Sequence, residues 1–224
     1  MTLRISLIAA AACALLGLVA VAISASAADA KKPVYWFEDT SQPGGNVVPG
    51  AYSTLNRFDS GISMNYHTTG LRDGHAYTVW WVIFNNRGAC TAAGGGCSND
   101  DVERAIMGIS NAPGVGVHYA AGHVIGTKWS GAFGGQLKSN DISGCVKVPP
   151  LSLVCNPLTN PTGAEVHLVL HDHGPPIPGK VNEQISTFEG GCKSFINGAT
   201  GAVNIEYNLG TYACFSPQAS PHVP

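Results

Sequence analysis

Apolar and polar positions alternate with period two along much of the chain. Ile62, Met64 and Tyr66 alternate with Ser63, Asn65 and His67, the pattern of a half-buried strand, and Leu71–Gly74 supplies a turn. The segment His75–Asn85 (HAYTVWWVIFN) is the strongest strand signal. Val79, Trp81 and Ile83 share one face and Trp80, Val82 and Phe84 the other, so both faces are apolar and the strand is expected to be central. Further strands are expected at Val115–Ile125, Trp129–Leu137, Ala164–His173, Glu183–Phe188 and Val203–Tyr212. Gly134-Gly135 is a candidate bulge. Arg87–Asp101 reads as a loop of small residues. Asp100-Asp101 followed by VERAIMG predicts one short helix with an acidic start.

Many strands, frequent turns and at most one short helix predict an all-β fold, an antiparallel β-sandwich or jelly roll. A single β-sandwich domain is expected over 31–215, with a flexible tail over 216–224 (SPQASPHVP).

The N-terminus changes the setting. Arg4 is followed by an apolar run from Ile5 to Ile23, and Ala25-Ser26-Ala27 and Ala28-Asp29-Ala30 both fit a cleavage site. Residues 1–27 therefore read as a signal peptide, with cleavage after Ala27 or after Ala30. A retained N-terminal anchor is the competing reading. With the signal removed no membrane span is expected, and the chain is read as secreted or periplasmic. Cys90, Cys97, Cys145, Cys155, Cys192 and Cys214 remain, an even number. Six cysteines allow fifteen pairings, and nearest-neighbour pairing, Cys90–Cys97, Cys145–Cys155 and Cys192–Cys214, is the simplest expectation. No C-x-x-C pair argues for a thiolate metal site. Charged residues are 12% of the chain and the formal net charge is −2, which excludes a nucleic-acid binder held by a basic surface and, with the apolar content, argues against disorder.

The most suggestive chemistry lies in Glu165–His173 (EVHLVLHDH). Val166, Leu168 and Leu170 should enter the core, and Glu165, His167, His171 and His173 should share the opposite face. Imidazoles suit copper and zinc. Residues two apart on a strand lie about 6.6 Å apart and residues four apart about 13 Å, so His171 and His173 can meet one ion while His167 needs a bend. A further ligand has to come from a neighbouring strand, with His123, His118 or His67 as candidates. A bulge at Ala120-Ala121-Gly122 is needed before His118 and His123 share a face. The alternative is that these histidines populate a solvated or hydrogen-bonded strand face.

Signals for an enzyme are poor, and the reading leans away from one. There is no G-x-S-x-G elbow and no H-E-x-x-H. The G-x-x-x-x-G-K spacing from Gly174 to Lys180 contains Pro175, Pro176 and Pro178, which have no N–H for a phosphate, and Val181 stands where a Ser or Thr is required. Of the four tryptophans, Trp36 and Trp129 are the candidates for an exposed platform that stacks on flat ligands, with ordinary packing as the alternative.

The His-x-His strand in a disulfide-bearing exported sandwich resembles copper-zinc superoxide dismutases. The rest of that family's ligand pattern is absent, so no ligand is carried over. EVHLVLHDHG also resembles the His-containing strands of chordin-type extracellular domains, over too few residues to carry function. GHAYTVWWVIFNN, AAGHVIG and GAEVHLVLHDHGPPIPG together resemble a group of exported bacterial β-rich proteins with no activity attached. That resemblance implies export and β architecture. The expected function is an exported binding or structural protein for an unknown extracellular ligand or surface. The alternative is a copper- or zinc-binding protein, redox-active or merely metal-storing, built on His171 and His173 with His167 and His123.

Overall fold

The computed structural model describes residues 27–28, 31–37, 45–92, 95–147, 154–192 and 212–224. Among these residues nine strands form one antiparallel sheet: β1 (Ala27–Ala28), β2 (Lys32–Trp36), β3 (Val47–Phe58), β4 (Gly61–Thr69), β5 (Ala76–Phe84), β6 (Val115–Val124), β7 (Ser130–Lys138), β8 (Glu165–Asp172) and β9 (Phe215–His222). The spatial order is β6-β5-β8-β9-β2-β3-β4-β7, with β1 paired to β3. The outer strands β6 and β7 curl toward each other, and a Cβ added at Gly135 on β7 would lie 2.9 Å from the Ala120 carbonyl oxygen on β6. The all-β, disulfide-stapled expectation therefore holds, but a single sheet rolled into a near-barrel replaces the sandwich or jelly roll. Every long strand twists the same way, and a long antiparallel sheet can cover its apolar face by curling on itself.

The inner face of the roll holds the larger core. Val79, Trp81 and Ile83 of β5, Val166, Leu168 and Leu170 of β8, Leu55 of β3 and Tyr66 of β4 are buried there together. The outer face of β5 carries Trp80 and Phe84 into a second core, with Val115 and Val117 of β6 and Ala105 of the helix α1 (Asn99–Ile106). The central strand is thus covered on both sides, as its double apolar pattern requires. Ser98 caps α1 through a capping box with Asp101, whose carboxylate also accepts from Thr91 and Arg104. The sulfurs pair as Cys90–Cys97, Cys145–Cys155 and Cys192–Cys214.

Four expectations are corrected. The segment 216–224 is not a tail: Phe215–His222 is β9, hydrogen-bonded between β8 and β2. The described residues contain two α-helices rather than one at most, because Val181–Ser186 forms α2 where Glu183–Phe188 was read as a strand. Gln184 in α2 is fully buried; its side chain accepts from the Ile177 N–H and donates to the carbonyls of His173 and Pro175, which a helical turn permits. Gly134-Gly135 is not a bulge, since the β4–β7 register runs unbroken. The irregularity falls instead at Ala120, opposite Val79 and Trp80. The strand read at Val203–Tyr212, apart from its last residue, and the signal peptide before Ala27 lie outside the described residues. Among the described residues, no helix is long and apolar enough to cross a membrane.

β9 turns polar side chains inward. Gln218, Ser220 and His222 oppose Leu170, Leu168 and Val166, and all three are fully buried. Proton counting orders the network. Ser220 donates to the Pro33 carbonyl (2.8 Å), so Ser53 donates to Ser220 (2.7 Å) and His222 Nε2–H donates to Ser53 (2.8 Å). Arg57, also inside the roll, donates to the carbonyls of Pro161, Ala164 and His222 at 3.0, 2.8 and 3.1 Å. Thr68 donates to the Gln218 side-chain carbonyl, and Gln218 donates to the Thr69 carbonyl. Pro217 and Pro221 have the parity that faces β2, where Phe37 donates to the Pro217 carbonyl, so their missing N–H groups spare the β8 ladder.

Two changes test this arrangement. Arg57→Leu strands three buried carbonyls and should cost roughly 3–5 kcal/mol of stability in urea unfolding. Deletion of residues 216–224 should abolish the cooperative thermal transition in circular dichroism. An undiminished transition would show that β9 is not part of the fold's frame.

Candidate functional site

β8 distributes its side chains by alternation, and the outer face receives the chemistry. Glu165, His167 and His171 face outward, opposite Phe84, Val82 and Thr78 of β5. Glu165 is buried and multiply held. It accepts from His167 Nε2 (2.9 Å), from the Cys97 N–H (3.0 Å) and from Arg87 Nε (2.9 Å). Burial pushes its carboxyl up, but the donors from His167, Cys97 and Arg87 outweigh burial and hold it below the usual range. His167 is thereby committed to Glu165, with its ring edge-on to Phe84.

His171 and His173 meet at the end of β8, with ring centroids 4.7 Å apart. His171 Nδ1 bonds Ser216 (3.1 Å), its ring stacks on Phe188 (5.1 Å), and its Nε2 lies 4.0 Å from Cys192 Sγ. His173 is fully buried, with Nδ1 2.9 Å from the Gly190 carbonyl and Nε2 3.0 Å from the Thr78 hydroxyl. As a neutral ring it donates through Nδ1 to the Gly190 carbonyl, while its Nε2 lies against the Thr78 hydroxyl, whose proton goes to the Ile185 carbonyl. Burial drives both imidazoles down, His171 well below its ordinary value with help from His173, and His173 from 6.5 to about 4.

Among the described residues, one group of potential metal ligands converges: His171, His173, Cys192 and Cys214 each place a ligand atom within 4.8 Å of the others. The two sulfurs are joined as a disulfide. His167 and His123, expected to share an ion with them, do not belong to the group. His167 is turned to Glu165. The irregularity at Ala120 does place His118 and His123 on one face, opposite Trp81 and Tyr77, but that is the inner face. There His123 stacks on Phe133 (centroids 4.4 Å apart) and His118 donates to the Asn156 carbonyl (2.7 Å). The sheet separates them from His171.

The platform residues also part. Trp36 is half-buried on β2, packed over Gly70 and the inner core, while Trp129 in the turn before β7 is 64% exposed. Comparison with protein-family models, curated proteins and solved structures gave no match.

Two features escaped sequence reasoning. Asp172 is fully buried on the inner-face side of β8 and binds His75 Nδ1 at 2.9 Å and the Tyr212 hydroxyl at 3.1 Å. Its partner His75 lies 97 positions away in the chain, so no local pattern joins the two. The other feature is a cavity of about 290 Å³ between the outer face and α1. Trp80, Phe84, Val117 and Val169 wall it from the sheet, Val102 and Ile106 from α1, and the exposed Asn99 and Glu103 rim it. Phe188 and Ser216 are shared between this cavity and His171. The Trp80 indole N–H is buried at the wall with no acceptor among the described residues.

The histidine shifts have a thermodynamic consequence. The unfolded chain takes up a proton on His173 near pH 6.5 and the folded chain near pH 4, so the folded state binds fewer protons in between. The associated stability, on the order of 3 kcal/mol, is complete above pH 6.5 and is lost as pH falls toward 4. Urea midpoints should be flat above that window and decline through it, and His173→Gln should make the decline shallower. An identical slope in His173→Gln would show that this ring is not its source.

Proposed function

We propose that this chain is an exported, disulfide-stapled binding protein, secreted or periplasmic, that holds a small and mainly apolar molecule in the cavity beneath α1. The cavity carries the reading. It has the size and apolar lining of a small-molecule site, and Ser98, His167 and Ser216 set a few polar groups among its apolar walls. The three disulfides are consistent with an oxidising compartment, and the N-terminal sequence supplies the route. This places ligand contact on the outer face of the sheet rather than on Trp36 and Trp129.

A second reading is favoured by the convergence of His171, His173, Cys192 and Cys214. Imidazole and sulfur donors suit copper or zinc, which makes a metal-binding role the alternative.

Toluene serves as the probe for the first reading. Calorimetric titration should give one toluene site per chain, weaker by about tenfold or more in Val169→Trp, which fills the cavity. Unchanged binding in Val169→Trp would remove the cavity as the site.

A further inference from the structure

The metal-ligand group has an internal contradiction that points to its chemistry. Four donors from three separate parts of the chain come within 4.8 Å of one another: two imidazoles at the end of β8, Cys192 after α2 and Cys214 before β9. That set is the ligand set of a tetrahedral Zn²⁺ site, whose neighbouring ligand atoms lie about 3.5 Å apart. Yet sulfur binds such ions as a thiolate, and both sulfurs are held in a disulfide. In that form the group offers an ion two imidazoles and no anion.

We propose that His171, His173, Cys192 and Cys214 form a thiol-gated site for one Zn²⁺ or Cu⁺ ion, closed while Cys192–Cys214 is oxidised and opened by a dithiol reductant. The inference rests on the metal reading above and adds its control. Cys214 is half-buried, whereas Cys192 is only 6% exposed, so Cys214 is the residue an attacking thiol reaches first. A thiolate of the reductant attacks Cys214, forming a mixed disulfide and breaking the Cys192–Cys214 bond. Cys192 leaves as a thiolate beside His171 Nε2. The second thiol of the reductant then attacks the mixed disulfide and releases Cys214. Two electrons and two protons have passed from the dithiol, now a disulfide, to the two cysteines. Binding of the ion displaces both thiol protons to solvent.

The surroundings suit this exchange. His171 is oriented by Ser216 and stacked on Phe188, so its Nε2 is already aimed at Cys192. His173 gives up one of its two hydrogen bonds to become a ligand, and the Thr78 hydroxyl retains the Ile185 carbonyl as a partner if that bond is the one lost. Ser216 and Phe188 also line the cavity under α1, so the gate and the cavity share a wall.

The test uses the full exported chain, prepared oxidised and after dithiol treatment and desalting. Zn²⁺ is titrated against a chromophoric chelator, and alkylation with mass spectrometry maps the free thiols. The expected result is one Zn²⁺ per chain after reduction and none tightly held before it. The bound ion should slow alkylation of Cys192 and Cys214 but not of the other four cysteines. His171→Ala and Cys214→Ser should each weaken binding by about tenfold or more, with near-ultraviolet circular dichroism to verify folding. If either variant misfolds, the alkylation pattern of the wild type decides alone. Equal binding before and after reduction, lost in His171→Ala, overturns the gate and leaves the metal reading standing. No binding in either form overturns both. Binding after reduction that protects other cysteines, or that is indifferent to His171→Ala in a folded variant, places the ion elsewhere and overturns the site.

Discussion

The fold depends on one constraint: a strand from the C-terminus must fill the gap between β8 and β2 while presenting polar side chains to an apolar interior. Without β9 the sheet is interrupted between those strands, with unpaired backbone edges on both sides. With it, the interior must satisfy Gln218, Ser220 and His222, and it does so with Ser53, Thr68 and the Pro33 and Thr69 carbonyls. Arg57 adds a third tie, joining β3 to the His222 backbone and to the loop that leads into β8. Such a network is costly when incomplete and specifying when complete. Its directed hydrogen bonds fix the register of β9, which apolar packing alone would leave free to slip.

Because the interior is closed in this way, the outer face becomes the place for chemistry. Alternation on β8 divides it cleanly. Its aliphatic residues enter the roll, and Glu165, His167 and His171 emerge beneath the loops that α1 and the disulfides hold in place. Glu165 shows how the loops are held: its carboxylate receives the Cys97 N–H and Arg87, so one buried charge ties the Cys90–Cys97 loop to the sheet. A buried carboxylate is tolerable only when its oxygens are satisfied, and here they are. The same outer surface then leaves a cavity on one side of Phe188 and a His/Cys group on the other.

Two adjacent residues on β8, Asp172 and His171, illustrate how far one step along a strand separates environments. Asp172 meets His75 and Tyr212 on the inner-face side, and His171 meets Ser216, Phe188 and Cys192 on the outer. Their neighbours come from the residue before β5, from β9 and from the segments around both cysteines of the last disulfide. Buried His171 and His173 are held neutral by desolvation, while the equally buried Glu165 is held ionised by its donors. Burial pushes each group toward its neutral form, and the partners decide the outcome.

The sequence by itself determined what rests on local periodicity and covalent distance. It carried the β class, the doubly apolar β5, the split of β8 into an aliphatic and a histidine face, the acidic start of α1 and the pairing of neighbouring cysteines. It misread β9 as a tail because that strand's inward residues are polar and its outward positions include two prolines, so neither hydropathy nor turn chemistry marked it. It misread α2 because the side chain that anchors it, Gln184, is polar and buried. It passed over β3, whose inward Ser53 and Arg57 break the apolar alternation. Only the tertiary structure decided which histidines meet. His167 was claimed by Glu165 and His123 by the inner core, while Cys192 and Cys214 arrived from loops far along the chain. Alternation specifies the face of a sheet on which a side chain lies, but what it touches there depends on strand order and curvature, which are set by long-range pairing and by the hydrogen bonds of buried polar groups.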